Sequence, residues 1–116
     1  MGDVEHGGAV LFRSDADEEA LVIECAVVEG GGLVVMQESD GPLTEWCFEE
    51  TPHRIETVFS PGGARALSEY FHLDEVRQLP AMLRAGYVGY DAGLRVRELA
   101  RRLGIAYRVI EAPIER

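Results

Sequence analysis

The chain contains no lysine among its 116 residues, so all eleven of its basic side chains are arginines. That absence excludes Schiff-base chemistry, a phosphate-loop lysine and a kinase-type lysine together, because each needs a primary amine. Cysteine is nearly as scarce. Two thiols, Cys25 and Cys47, cannot build the multi-bridge framework that staples small secreted domains. The three histidines, His6, His53 and His72, follow neither HExxH nor His-x-His spacing, so no metal and no cofactor is implied. Apolar runs stay short, as in Ala26–Val28 and Leu33–Met36, whereas a membrane-spanning helix needs about twenty such residues. Met1 to Gly8 has neither a basic n-region nor an apolar core, so the sequence predicts a reduced, cytoplasmic protein with no membrane partner.

What the chain has in excess is negative charge, a formal net of −10 at pH 7. It is unevenly placed. Residues 1–60 hold fourteen Asp/Glu against Arg13 and Arg54, whereas residues 61–116 hold seven against nine arginines. A field of this sign repels phosphate backbones and anionic lipid, which disfavours direct binding of nucleic acid and favours a partner with a basic surface. Acidity also serves solubility alone in many small proteins. The hydrophobic fraction of 47% is that of a folded chain, and the length suits one domain with one core.

Along the chain, strand signals precede helix signals. Ala9–Arg13 is a short apolar run before an acidic turn, and Leu21–Val28 and Leu33–Glu38 flank Gly30-Gly31-Gly32 as a hairpin. Thr44–Glu50 and His53–Phe59 read as further strands around Thr51-Pro52. After Ser60-Pro61-Gly62-Gly63 the period changes. Ala64, Leu67 and Phe71 share a helical face. Asp74 is placed to cap a second helix that Pro80 interrupts, and Asp91 to cap a third. In that third helix Val96, Leu99, Ala100 and Leu103 recur at i, i+3, i+4 and i+7 before Gly104, and Ile105–Ile110 alternates as a final strand. The predicted fold is one α+β domain over 1–116. An antiparallel meander of about five strands carries two to three helices on one face, and a C-terminal strand follows. Residues 1–60 form its acidic, strand-rich part and 61–116 its helical part.

The densest chemistry lies in TEWCFEETPHRIETVF, residues 44–59. Strand alternation places Trp46 and Phe48 on one face and Glu45, Cys47 and Glu49 on the other. Ile55 and Phe59 oppose Arg54, Glu56 and Val58, while Leu21, Ile23, Cys25 and Val27 oppose Glu24. The pattern is that of a half-buried antiparallel sheet whose wet face carries Glu24, Glu45, Glu49 and Glu56. These four carboxylates are the candidate partner-binding residues. A catalytic carboxylate pair would need burial or a close partner to split its pKa values. The hairpin Val27–Met36 is apolar on both faces, which points to cover by the C-terminal segment or to a homodimer contact.

Glu98-Leu99-Ala100-Arg101-Arg102-Leu103-Gly104-Ile105 resembles the first helix and turn of a helix-turn-helix DNA-binding motif. The resemblance implies a recognition helix from about Ala106, where Tyr107, Val109, Ile110 and Pro113 instead favour a strand. Two classes of function follow. The first is a small acidic binding or regulatory protein that blocks a basic partner surface, as immunity proteins and nucleic-acid-mimicking inhibitors do. The second is an enzyme or ligand-binding domain with a pocket between sheet and helices that uses Glu45, Glu49, His53 or Tyr90. A DNA-binding regulator comes third.

Overall fold

In the computed structural model, which describes residues 8–14, 20–40 and 53–113, a five-stranded antiparallel sheet carries three α-helices on one side. The strands are β1 (Ala9–Ser14), β2 (Ala20–Val27), β3 (Leu33–Asp40), β4 (His53–Phe59) and β5 (Arg108–Pro113), in that spatial order. The helices α1 (Pro61–Tyr70), α2 (Leu79–Gly86) and α3 (Ala92–Leu103) fall between β4 and β5, with a 3-10 turn at Val76–Gln78. The α+β class, the antiparallel sheet, the single helical layer and the C-terminal strand are those expected from the sequence. The fifth strand of the sheet is itself the C-terminal one. The predicted strand Thr44–Glu50, with Trp46 and Cys47, lies outside the described residues.

Local chemistry explains the element boundaries. Gly30 and Gly31 take φ values of +95° and +100°, a pair of left-handed conformations that only glycine adopts without strain, and so close the β2–β3 turn. Ser60 caps α1, its hydroxyl accepting from the Gly63 amide at 3.1 Å, with Pro61 in the first helical turn. Pro80 does not interrupt a helix, as the sequence suggested, but sits in the first turn of α2, where its missing N–H has no helical partner to lose. Glu75, rather than Asp74, caps the preceding turn in a reciprocal box with Gln78. Asp91 makes no capping bond to α3; its carboxylate lies 3.3 Å from Arg95 instead. Gly104 ends α3 in the left-handed conformation, φ +74°. The last strand begins at Arg108, three residues later than alternation suggested.

The core lies between the sheet and the helices. Ile23, Cys25, Leu33, Val35 and Phe59 project from the sheet onto Ala64, Leu67, Leu79, Leu83, Val96, Leu99 and Ala100, all at most 2% exposed. Leu103 completes the periodic pattern in sequence but is 37% exposed in the last turn of α3. The hairpin's inward residues are covered by the helical layer. At its Leu33 end Tyr107, ahead of β5, also packs on the cross-strand partner Phe59, while the outward residues Val34 and Met36 stay partly accessible on the opposite face. A register shift between Val10 and Phe12 lets Leu11 and Phe12 both reach the core side, and the Leu11 carbonyl accepts from the Gly89 amide at 3.2 Å. The bulge ties edge strand β1 to the α2–α3 loop.

Burial pushes the Cys25 thiol up from 9.0 to about 12, opposed in part by a backbone hydrogen bond with Ala9 and reinforced by nearby Glu24. A thiol that ionises in the unfolded chain but not in the folded one costs stability as pH rises above about 9. The expected slope approaches 1.36 kcal/mol per pH unit toward pH 12. Urea denaturation between pH 8 and 11 checks this: Cys25→Ala should flatten the decline relative to the parent chain, and parallel declines would contradict the buried thiol.

Candidate functional site

Opposite the helices, the sheet presents a face that no described element covers. Cross-strand register orders it in three rows. The central row runs Val10, Glu24, Met36, Glu56 and Ile110 from β1 to β5, so that a methionine sits between two carboxylates. Beside it run Arg13, Val22, Glu38 and Arg54, and on the other side Ala26, Val34, Val58 and Arg108. Of the four candidate partner-binding carboxylates, the structure thus brings Glu24 and Glu56 together on one face and in one row, as alternation predicts. Glu45 and Glu49 lie outside the described residues.

On this face the carboxylates are paired with arginines. Arg54 lies between two acids, with Nη2 2.6 Å from Glu38 and Nη1 3.8 Å from Glu56, and Arg13 lies 3.9 Å from Glu24. Exposed pairs of this kind contribute little stability, about 0–1 kcal/mol each, yet they cancel charge locally. At the two ends of the central row, on the edge strands, Val10 and Ile110 remain 39% and 43% exposed. The face therefore combines apolar side chains with paired charges of both signs. A cavity of about 420 Å³ opens where it meets the start of β1, lined by Val10, Glu24, Ala26, Val34 and Met36 together with Arg84 of α2.

The surplus of acid lies elsewhere. Segments 1–7, 15–19, 41–52 and 114–116 hold ten Asp/Glu and one arginine, while the described residues hold eleven Asp/Glu and ten arginines. Three of those segments attach to one end of the sheet. Ser14, Leu21, Ser39, His53 and Pro113 are successive cross-strand partners, so the chain leaves β1, β3 and β5 and enters β4 along a single row. Segments 15–19, 41–52 and 114–116 together carry eight Asp/Glu against Arg116. Net charge alone pointed to an acidic partner surface, but only the strand order reveals that the acid-bearing segments are anchored side by side.

The alternative pocket residues are not brought together. His53 is 4% exposed on the helix-facing side of β4, its Nε2 3.8 Å from the Glu111 carboxylate. Tyr90 is 72% exposed on the loop bonded to β1, three strands away, or about 14 Å across the sheet. Farther along β4 a separate polar contact is made. There the Arg97 guanidinium donates to the buried Thr57 hydroxyl at 2.9 Å, holding α3 on the sheet. Among the described residues no group of three or more His, Cys, Asp or Glu is arranged to hold a metal ion, and no helix is long and apolar enough to cross a membrane. After Gly104 the chain forms strand β5, not a second helix, so the segment resembling a helix-turn-helix lacks a recognition helix.

No protein-family model matches the chain, and comparison with curated proteins and with solved structures found no match either.

Proposed function

We propose that this is a small acidic binding protein that engages a basic protein surface with the acid-bearing end of its sheet and the adjoining outward face. The observation that carries the reading is the strand-end row Ser14–Leu21–Ser39–His53–Pro113, to which segments 15–19 and 41–52, with seven Asp/Glu and no arginine, are both attached. Clustered charge of one sign speeds encounter with a partner of the other sign and rejects like-charged surfaces, while the apolar rows of the sheet face supply contact once the two meet. Such a protein acts by occupying a basic site, in the manner of an inhibitor or immunity protein, and needs no catalytic group of its own. Direct binding to nucleic acid is disfavoured by the same field. Self-association through the Val27–Met36 hairpin is the second reading, favoured by the outward placement of Val34 and Met36.

Recovery of the partner from the source cell, followed by association kinetics across a salt series, tests the proposal. Reversing Glu45 and Glu49 to Arg should slow association and flatten its salt dependence, since exposed charges are screened over about 10 Å at 0.1 M ionic strength. The fold should be unaffected. An unchanged on-rate with unchanged salt dependence overturns the electrostatic reading. Sedimentation equilibrium of Met36→Glu beside the parent chain then decides between a foreign partner and a second copy.

A further inference from the structure

Along α3 the charge changes sign. Tyr87, Arg95, Glu98, Leu99, Arg101 and Arg102 line an open cavity of about 610 Å³ along the side of α3. Three guanidinium groups there face one lining carboxylate, in a chain whose net charge is −10. We propose that this groove binds the phosphate group of a small molecule.

The arginines are held in place. Arg95 donates through Nη2 to the Val88 carbonyl, its Nε lies 3.3 Å from Asp91, and its Cζ stands 5.5 Å from the centre of the Tyr87 ring. Gly89, at φ +126°, makes room for this arrangement: a side chain there would meet Asp91 at 3.3 Å and Arg95 at 3.7 Å. Arg101 donates to the Tyr107 hydroxyl at 2.6 Å, which leaves that hydroxyl's own proton free to point elsewhere. Neither Arg101 nor Arg102 forms an ion pair among the described residues.

A helix dipole accounts for part of this and not for all. Arg101 and Arg102 occupy the last turn of α3, where cations are stabilised. Arg95 lies near its N-terminal end, where a cation is disfavoured, and is nevertheless fixed by three separate contacts. A guanidinium whose orientation is already set loses little entropy on binding an oxyanion, and its planar fork matches phosphate oxygens. Leu99 and the edge of Tyr87 give the groove an apolar wall, and its volume is that of a site for a small organic ligand rather than a bare ion.

The Arg101 end of the groove lies away from the strand-end row where the acid-bearing segments attach. Tyr107, which bonds Arg101, packs on Phe59 at a centroid distance of 5.8 Å, at the end of β4 opposite His53. The seven residues of β4 set the Arg101–Tyr107 pair about 20 Å from that row, whereas the start of α3 lies nearer to it, a Cβ at Gly93 standing 3.7 Å from the Gln37 side chain of β3.

The test is an NMR titration of the full chain with inorganic phosphate, phenyl phosphate and acetate at matched ionic strength. Saturable shifts at the Leu99 methyls and the Tyr87 ring are expected for both phosphates, with phenyl phosphate the tighter and acetate the weakest. Arg102→Gln, at an exposed position, should weaken phenyl phosphate about tenfold, as loss of one charge-assisted hydrogen bond does. Arg65→Gln on α1, outside the groove, should leave binding unchanged. Shifts that do not saturate, that acetate reproduces equally, or that survive Arg102→Gln at unaltered affinity overturn the proposal.

Discussion

Replacing Phe59 by alanine should lower stability by about 3–5 kcal/mol, the usual loss for a fully buried aromatic side chain. Phe59 is 1% exposed and stands where three parts of the fold meet. It pairs with Leu33 across the sheet, its ring lies 5.8 Å from that of Tyr107 ahead of β5, and its Cβ would be 3.6 Å from one added at Gly63 of α1. Removing the ring leaves a cavity that the strand cannot close, since β4 is hydrogen-bonded to β3 and β5 on either side. Small domains have total stabilities of about 5–15 kcal/mol, so the variant should sit near the edge of folding. In urea denaturation its midpoint should fall by about 2 M relative to the parent chain. Phe59→Leu should recover most of the loss. A midpoint unchanged by Phe59→Ala would mean that the β4–α1 junction is packed differently from the arrangement described above.

Gly32→Ala should be the most damaging single methyl addition, at about 1–3 kcal/mol. A Cβ at Gly32 would stand 2.7 Å from the Phe59 carbonyl oxygen and 3.6 Å from a Val28 methyl. The first of these neighbours is backbone and cannot rotate aside. It also lies immediately before Ser60, whose carbonyl accepts the Ala64 amide at 2.8 Å and whose hydroxyl caps α1, so displacing it disturbs the ladder and the helix start together. The φ of Gly32 is ordinary, which makes this a purely steric requirement for glycine. Gly86→Ala provides the control, because a Cβ there meets nothing within 4 Å and alanine favours the helix. If both variants melt alike, the close approach of β3 to the end of β4 is not present in solution.

Much of the fold was legible in the chain because its local and tertiary preferences agree. The alternation of Leu21, Ile23, Cys25 and Val27 against Glu24 identified the inward face of β2, and the spacing of Val96, Leu99 and Ala100 identified that of α3. Where reading failed, a neighbour in space decided. Asp91 has the residue type and position of a cap, yet a guanidinium one turn along α3 competes for its carboxylate. Pro80 reads as a breaker because a proline's effect depends on which turn it occupies, and the start of α2 is set by the preceding 3-10 turn. The bulge at Leu11 left no trace in the sequence, since it arises from pairing with β2 and from the Gly89 amide.

The candidate site divides along the same line. Residue counts alone determined the absence of lysine chemistry, the net charge of −10 and its concentration in residues 1–60, because these depend on composition and order only. Period alone determined that Glu24 and Glu56 point away from the core, because a strand's side chains alternate whatever surrounds it. Tertiary structure decided which of them become neighbours. Arg54 follows Glu38 by sixteen residues and still bonds it at 2.9 Å, so charges that look unopposed along the chain are paired across the sheet. Strand order likewise set the attachment points of three acid-bearing segments at one end of the sheet and the Arg101–Tyr107 pair toward the other. A one-dimensional charge map cannot contain that separation, since a meander returns distant residues to the same end at every second turn.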